Sequence, residues 1–194
     1  GILGGTFDPI HNGHLAAARA CATALHLDRV LLIPAGEPQH RASAPVASPE
    51  QRYEMVLAAC SEQSTEGIPL QPSRVDIDRL GPTYTIDTLA DVRREFPGAD
   101  LFLILGADAY AHLDTWREPE EVRKNTTLVI VQRADFQQSQ PGPSADGGAV
   151  VNVPLDGFDI SATDIRARVA KGISVADLVP APVARYIICK GLYR

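Results

Sequence analysis

Several features that would assign a protein to a specialised class are missing from this 194-residue sequence. No apolar run approaches the roughly 18 residues that a membrane-spanning helix needs. No basic segment with a cleavage pattern begins the chain, so nothing predicts secretion. No internal repeat is visible. Only three cysteines occur, and their odd number and wide spacing predict reduced, mostly buried thiols in a cytoplasmic protein.

An excess of positive charge is also missing. Lys and Arg total 18 against 24 Asp and Glu, which gives a net charge of −6 at pH 7. This balance argues against a nucleic-acid-binding surface, so anionic substrates would need a local cluster of positive groups. Hydrophobic residues make up 45% of the chain, enough for one domain over residues 1–194 with a full core.

The chain is organised around residues 4–15, which have the sequence GGTFDPIHNGHL. The three residues before them are apolar and are typical of the end of a buried strand. After them, apolar residues recur at the spacing of a helix with one buried face, at Leu15, Ala18, Ala22 and Leu25. The stretch therefore predicts a strand, a glycine turn and a helix N-terminus that carries two histidines.

The residue types in this turn suit a phosphate ligand. Gly4 and Gly5 let the backbone approach a ligand closely, and a helix N-terminus offers N–H groups and a positive dipole end. Neither the Gly-x-Gly-x-x-Gly fingerprint nor a P-loop is present, so His11 and His14 would take the place of the P-loop lysine. Two alternatives stay open. The histidines could form a metal site, although no third His or Cys lies at ligand spacing, or they could serve only as a structural helix cap.

This stretch resembles the T/H-x-G-H signature of the nucleotidyltransferase superfamily, whose fold is shared with class I aminoacyl-tRNA synthetases. In full, it resembles the bacterial nicotinate-nucleotide adenylyltransferases. The resemblance implies an ATP-binding turn formed by Gly4, Gly5, Thr6, Phe7, His11 and His14. It also implies that His11 and His14 are catalytic groups at the ATP phosphates, with His14 donating to the charge that grows during transfer.

A second stretch, residues 78–89, has the sequence DRLGPTYTIDTL. By itself it predicts a turn followed by a helix that Thr85 caps. It is also similar, nearly residue for residue, to a segment of the same family that lies against the nicotinate ring. The resemblance implies that nicotinate mononucleotide is bound by Thr83, Tyr84 and Thr85.

The clearest buried strand is predicted at residues 100–105, directly before Gly106 and Asp108. An acidic residue just past a strand is well placed to hold ribose hydroxyls, so both residues are assigned to the adenosine of ATP. Trp116, a lone tryptophan, would ordinarily be a core residue. The family's Gly-Ala-Asp…Leu-x-x-Trp segment implies instead that Trp116 stacks on the pyridine ring.

A third motif, residues 160–166, has the sequence ISATDIR. Ser161 and Asp164 have the spacing of a capping box, which predicts the start of a helix. Thr163 and Arg166 add a hydroxyl and a guanidinium to that helix start, which suits a second phosphate site. The motif resembles the superfamily's Ile-Ser-Ser-Thr-x-Ile-Arg. The resemblance implies that Ser161, Thr163 and Arg166 bind ATP and that Arg166 is catalytic, holding the departing pyrophosphate.

The remaining pattern predicts an α/β fold. Further strands are predicted at residues 29–34, 70–78, 126–133 and 149–155. A helix over residues 48–63 would begin at the N-cap Ser48, with an inner face made of Tyr53, Val56, Leu57 and Cys60. Residues 134–148 lack apolar periodicity and predict a mobile loop. Strands that alternate with helices favour a doubly wound parallel sheet, the Rossmann-like nucleotidyltransferase fold.

One loop departs from the family pattern. After the strand at residues 29–34 the family reads Pro-His-Lys, whereas this chain has Pro38-Gln39-His40-Arg41. Phosphate contacts are predicted for His40 and Arg41, and also for Arg133 at the end of a later strand. A solvated loop is the alternative for residues 35–41.

The resemblance covers nearly the whole chain and implies an enzyme of NAD biosynthesis. It would transfer AMP from ATP to nicotinate mononucleotide, giving deamido-NAD and pyrophosphate, with Mg²⁺ held by the ATP phosphates rather than by the protein. No Ser, Cys or Lys is placed with a base as a nucleophile. The alternatives are an adenylyltransferase for nicotinamide mononucleotide or pantetheine phosphate, and a nucleotide-binding regulatory module without turnover. Whether the chain forms a homo-oligomer stays open.

Overall fold

The computed structural model describes residues 1–39, 44–61, 67–132, 148–155 and 160–194. Its strands are, in chain order, β1 (Ile2–Gly5), β2 (Val30–Pro34), β3 (Glu37–Pro38), β4 (Leu70–Pro72), β5 (Pro82–Thr83), β6 (Phe102–Gly106), β7 (Thr127–Gln132) and β8 (Val150–Pro154). Its helices are α1 (Asn12–Ala24), α2 (Pro49–Cys60), α3 (Thr85–Glu95), α4 (Ala107–Ala111), α5 (Pro119–Asn125), α6 (Ala162–Ala170) and α7 (Ala181–Lys190). A short 3₁₀ helix spans Leu113–Thr115.

Within the described residues, six of the strands form one sheet in the order β4-β2-β1-β6-β7-β8, and all their pairings are parallel. Counted along the chain, these are the third, second, first, fourth, fifth and sixth strands, which is the order of doubly wound Rossmann folds. The order reverses between β1 and β6. Ligands bind such sheets outside the carboxyl ends of the strands at this reversal. The predicted fold class is confirmed.

Both faces of the sheet are buried, which explains the unbroken apolar runs. All five residues of β2 are buried. Because successive side chains point to opposite faces, Val30 and Leu32 join one hydrophobic cluster while Leu31 and Ile33 join the other. The first cluster also holds buried residues of α1, α2, α6 and α7, and the second holds those of α3 and α5.

The start of α2 is confirmed, and so is the burial of Val56, but the rest of the predicted inner face is only partly right. Ser48 is the N-cap and forms a capping box with Gln51. The buried residues of α2 are Arg52, Met55, Val56 and Ala59. Leu57, assigned to the inner face, is 50% exposed. Arginine is among the residues least often fully buried, so the prediction left Arg52 off the inner face.

Three smaller predictions are also corrected. The strand predicted over residues 70–78 ends at Pro72, and a turn follows in which Asp78 N–H donates to the carbonyl oxygen of Arg74. The N-cap of α3 is Tyr84, and Thr85 is the first helical residue. Ser161 does cap α6, but its hydroxyl accepts from Thr163 N–H, one residue before the predicted Asp164.

The structure describes all three cysteines and the length of each helix. All three thiols are free, as predicted, but only Cys21 is buried, and Cys189 is exposed. Among the residues with assigned positions, no helix has both the length and the apolarity to cross a membrane. The loop predicted at residues 134–148 lies, up to residue 147, outside the described residues.

Candidate active site

A crevice opens where the strand order reverses, at the carboxyl ends of β1 and β6. It encloses a cavity of about 250 Å³. His11, Gly13 and His14 line one side, and Gly106 and Gln132 line another. The structure therefore brings the two histidines of the first motif together with Gly106 at the end of β6. Phosphate and adenosine contacts were predicted for these three residues, and they share one cavity.

The two histidines are stacked at the start of α1. His11 is the N-cap, and its ring centroid lies 3.6 Å from that of His14, with an interplanar angle of 22°. The backbone N–H of His11 donates to Nδ1 of His14 over 3.2 Å. The Phe7 ring packs edge-on against His14, with centroids 4.9 Å apart. Because Nδ1 of His14 accepts, the proton of its neutral ring lies on Nε2, which is thereby set up as a donor.

His11 is neutral at physiological pH. Its side chain is 6% exposed, and burial lowers its pKa to about 4. Its Nδ1 is buried and has no hydrogen-bond partner among the described residues. A neutral imidazole in this position can offer a phosphate its N–H dipole but not a full positive charge.

The glycine turn before the histidines leaves room for a ligand. Gly4 is exposed, and a Cβ atom there would meet nothing within 4 Å. Thr6 and Phe7, also predicted to bind ATP, have buried side chains, and Phe7 adopts a positive φ of 50°. Contacts of Phe7 with a nucleotide would therefore be made by its backbone.

The start of α6 joins this turn from the far end of the sequence. Arg166 Nη1 donates to the carbonyl oxygen of Asp8 over 2.7 Å, and Nη2 donates to Thr163 Oγ1 over 3.2 Å. Ser161 is exposed, whereas Arg166 is half-buried. The structure thus places the predicted second phosphate site beside the first.

The segment predicted to hold the acceptor, residues 83–85, is anchored to the part of the chain that follows β2. β3 and β5 form a parallel pair, and Glu37 N–H donates to Thr83 Oγ1 over 3.1 Å. This pairing needs glycine at position 36, because a Cβ atom there would collide with the carbonyl oxygen of Asp76. The buried carboxylate of Asp76 accepts from Thr88 Oγ1 over 2.7 Å and pairs with Arg79 at 2.9 Å. Burial raises the pKa of Asp76, while the hydrogen bond from Thr88 and the charge of Arg79 oppose that rise.

Tyr84 and Trp116, both predicted to contact the acceptor, do not line the cavity, and Arg117 links the two. Arg117, directly after Trp116, places its guanidinium 5.0 Å from the centroid of the Tyr84 ring. Trp116 is half-buried and packs against the hydrophobic cluster that covers one face of the sheet. Arg117 is also 3.7 Å from Asp87 and 3.5 Å from Glu118, so its charge is partly neutralised. Sequence reasoning did not single out Arg117.

Asp108 is less closely engaged than Gly106. Gly106 lines the cavity and is the N-cap of α4, whereas Asp108 lies in the first turn of that short helix and does not line the cavity. His40, Arg41 and Arg133 lie outside the described residues.

Comparison with known proteins identifies the family. A model of the cytidylyltransferase-like family matches residues 2–168. A probable nicotinate-nucleotide adenylyltransferase of Streptomyces coelicolor is 46% identical over 192 residues, covering 99% of both chains. A relative of the same name from Thermus thermophilus is 45% identical over 196 residues, covering 100% of this chain and 98% of the relative. The chain belongs to the nicotinate-nucleotide adenylyltransferase family.

Solved structures agree on the fold. The Plasmodium falciparum nicotinic acid mononucleotide adenylyltransferase complexed with NaAD has a TM-score of 0.78 at 19% identity, covering 99% of this chain and 95% of that one. The same enzyme complexed with APC has a TM-score of 0.76 at 18% identity and the same coverage. At such identities the likeness concerns the fold alone.

Besides Arg117, two residues of this adenylyltransferase-family chain were missed by sequence reasoning. The carboxylate of Asp8 is 2% exposed and accepts from Val46 N–H at 2.8 Å, Ala47 N–H at 3.1 Å and Tyr193 Oη at 2.8 Å. Arg52 is completely buried in α2. Its one sequence signal was the i, i+3, i+4 spacing of Arg52, Met55 and Val56, which puts it on the core face of the helix.

Proposed function

We propose that this chain transfers AMP from ATP to nicotinate mononucleotide, giving deamido-NAD and pyrophosphate. The observation that carries the proposal is the hydrogen bond from Arg166 to the carbonyl of Asp8. It joins the helix start that bears Arg166 to the turn that bears His11 and His14, so donors converge from two helix N-termini. The names of relatives that are 46% and 45% identical over essentially the whole chain support the choice of reaction.

The reaction needs no nucleophile from the protein. A phosphate oxygen of the mononucleotide attacks the α-phosphorus of ATP, a new P–O bond forms, and the bond to the bridging oxygen of the β-phosphate breaks. Pyrophosphate leaves with the electron pair. Catalysis can therefore rest on positioning and on stabilising the charge that develops on the phosphates.

We assign these tasks to the residues of the crevice. His14 donates from Nε2 to phosphate oxygens of ATP, and the neutral His11 contributes its N–H dipole. Arg166 offers a planar fork to the departing pyrophosphate, and Thr163 and Ser161 add a hydroxyl and a capped helix start. The phosphate turn is shaped by Gly4, Gly5 and the backbone of Thr6 and Phe7.

Mg²⁺ enters this scheme as part of the nucleotide substrate. In the described part of the chain no group of three or more His, Cys, Asp or Glu could hold a metal ion. Phosphate oxygens and water are the ligands that Mg²⁺ commonly takes. When bound, the ion would neutralise charge on the ATP phosphates.

The acceptor is assigned to the segment around Tyr84 and Trp116, which lies outside the residues that line the cavity. Thr83, Tyr84 and Thr85 offer hydroxyls and backbone N–H groups, and Trp116 offers a ring for stacking. Arg117 brings a positive charge to the same place, since its guanidinium lies over Tyr84. A positive charge there favours a pyridine ring with a carboxylate over one with a carboxamide. Asp108 and Gly106 are assigned to the adenosine.

The experiment that tests the proposal is pyrophosphate release from ATP with a panel of acceptors. The panel contains nicotinate mononucleotide, nicotinamide mononucleotide, pantetheine phosphate and no acceptor, each with and without Mg²⁺. We expect release with nicotinate mononucleotide and Mg²⁺, together with deamido-NAD detected by mass spectrometry. Release only with a different acceptor would overturn the nicotinate assignment, and ATP binding without release from any acceptor would favour the regulatory module.

A further inference from the structure

We propose that Arg52 is a positioning residue that fixes the ATP-phosphate turn relative to the acceptor segment. The proposal rests on the proposed function, because it concerns the geometry between the two substrates of that reaction. The hydrogen bonds of Arg52 described below go to backbone atoms of the loops that carry the site residues. Its influence on the substrates is therefore exerted through those loops.

The guanidinium of Arg52 binds three separate parts of the chain. Nη1 donates to the carbonyl of Thr6 over 2.8 Å, Nη2 to that of Gly36 over 2.9 Å, and Nε to that of Ala47 over 3.3 Å. These acceptors lie 46, 16 and 5 residues away from Arg52 in sequence. The side chain is 0% exposed, so water does not compete for these bonds.

Two of these carbonyls belong to the two halves of the site. Thr6 lies in the turn between β1 and the histidines. Gly36 is packed against the carbonyl oxygen of Asp76, and the next residue, Glu37, donates to the hydroxyl of Thr83. One planar group therefore sets the distance between the phosphate turn and β3, the strand that pairs with the start of the acceptor segment.

The third carbonyl ties in the second phosphate site. Ala47 accepts from Arg52 and donates its own N–H to the carboxylate of Asp8. The backbone oxygen of Asp8 in turn accepts from Arg166. Arg52 and Arg166 thus hold the same short turn, at the carbonyls of Thr6 and Asp8.

Arginine suits this role and lysine does not. A buried charge is costly unless its hydrogen-bonding groups are satisfied, and a guanidinium can serve several divergent acceptors from one rigid plane. An ammonium group is a single point and cannot span three carbonyls in the same geometry. A residue needed only for core packing would be matched by an apolar side chain of similar volume.

The test compares Arg52→Lys with Val56→Ala, which is equally buried in the same helix and is a member of the hydrophobic cluster. Arg52→Met is a second variant that keeps volume without charge. Each protein is studied at 25 °C after circular dichroism has confirmed that it is folded. We expect Val56→Ala to lower the unfolding midpoint by about 5 °C and to leave kcat within about 2-fold of wild type.

Arg52→Lys should give a different signature. Each substrate alone keeps its local contacts, so the Kd of an ATP analogue and that of nicotinate mononucleotide, measured separately by calorimetry, should stay within about 3-fold. The kcat should fall by about 10- to 100-fold, because a misplacement of about 1 Å between reacting groups can cost that much. Arg52→Met should lose at least as much.

The outcomes separate the two proposals. Wild-type protein without turnover would overturn the proposed function. If wild type turns over, a folded Arg52→Lys with kcat within 3-fold of wild type would overturn the role of Arg52. The role of Arg52 would also be overturned if Arg52→Lys lost affinity for both substrates by as much as it lost kcat. An equal loss of kcat in Val56→Ala would overturn it too, because either result would indicate a general structural role.

Discussion

The buried imidazole of His11 should make the stability of this protein depend on pH. Burial lowers the folded-state pKa to about 4 from the ordinary value of 6.5, which the unfolded chain regains. Below pH 6.5 the unfolded state therefore binds a proton that the folded state refuses. The free energy of unfolding is therefore unaffected by protonation of this histidine above pH 6.5, and it falls progressively as the pH drops from 6.5 through 4. The difference between the two pKa values corresponds to about 3 kcal/mol in total, of which about 2 kcal/mol is lost between pH 7 and pH 5.

Substitution of His11 by Asn removes the titrating ring and keeps a side chain suited to an N-cap. Urea unfolding is measured at pH 7 and at pH 5 for both proteins. We expect wild type to lose about 2 kcal/mol more than His11→Asn between the two conditions, because the contributions of groups that do not contact His11 cancel in this double difference. The control is Val56→Ala, which removes no titratable group and should lose as much between the two conditions as wild type.

Equal pH sensitivity of wild type and His11→Asn would refute this reasoning. The same group also gives a test of its assignment to the ATP phosphates. Negative charge brought beside His11 raises its pKa, so ATP binding at pH 5 should be accompanied by proton uptake. Calorimetry in buffers with different ionisation enthalpies would detect that uptake in wild type, and an equal uptake in His11→Asn would remove His11 from the phosphate site.

The remaining predictions concern catalysis and acceptor choice. His14→Ala should stay folded and bind ATP but lose about 10²- to 10⁴-fold in kcat, and near wild-type turnover would exclude a catalytic role. Arg166→Lys should lose at least about 10-fold in kcat/KM at fixed Mg²⁺, since an ammonium cannot replace the planar fork; equal values would contradict this. Nicotinate mononucleotide should be preferred over nicotinamide mononucleotide by at least about 10-fold in kcat/KM, and equal use of both would contradict the acceptor assignment. Trp116→Ala should weaken both acceptors alike, whereas Arg117→Gln should lower their ratio by about 3- to 10-fold.

Features set by neighbouring residues could be predicted from the sequence. The apolar run at residues 29–34 predicted the buried strand β2, and Ser48 followed by Pro49 and Gln51 predicted the start of α2. Both depend on local chemistry: burial on two faces for the strand, and a reciprocal hydrogen-bonded cap for the helix. The doubly wound fold class followed from the alternation of strands and helices, whereas the order of the strands was not predicted.

The site could be predicted only in part, because the side chains that hold its loops in place contact residues that are distant in the sequence. Motif resemblance brought His11, His14 and Arg166 together, and the structure shows them at adjacent helix starts. Asp8 and Arg52 were missed because each is held by groups that the chain folding brings near, such as Tyr193 for Asp8 and Thr6 for Arg52. No periodicity within one element encodes such contacts.

If Arg166 holds pyrophosphate as proposed, the arrangement around Asp8 lets it do so without first being ordered by the ligand. The Asp8 turn is fixed by three hydrogen bonds to its carboxylate, so its backbone oxygen is a rigid acceptor for Arg166 Nη1. That bond and the one to Thr163 use two of the five N–H donors of the guanidinium. The remaining donors can serve an anion while the side chain keeps its position. The conformational entropy of a long side chain, about 2 kcal/mol, is therefore largely lost during folding rather than during binding.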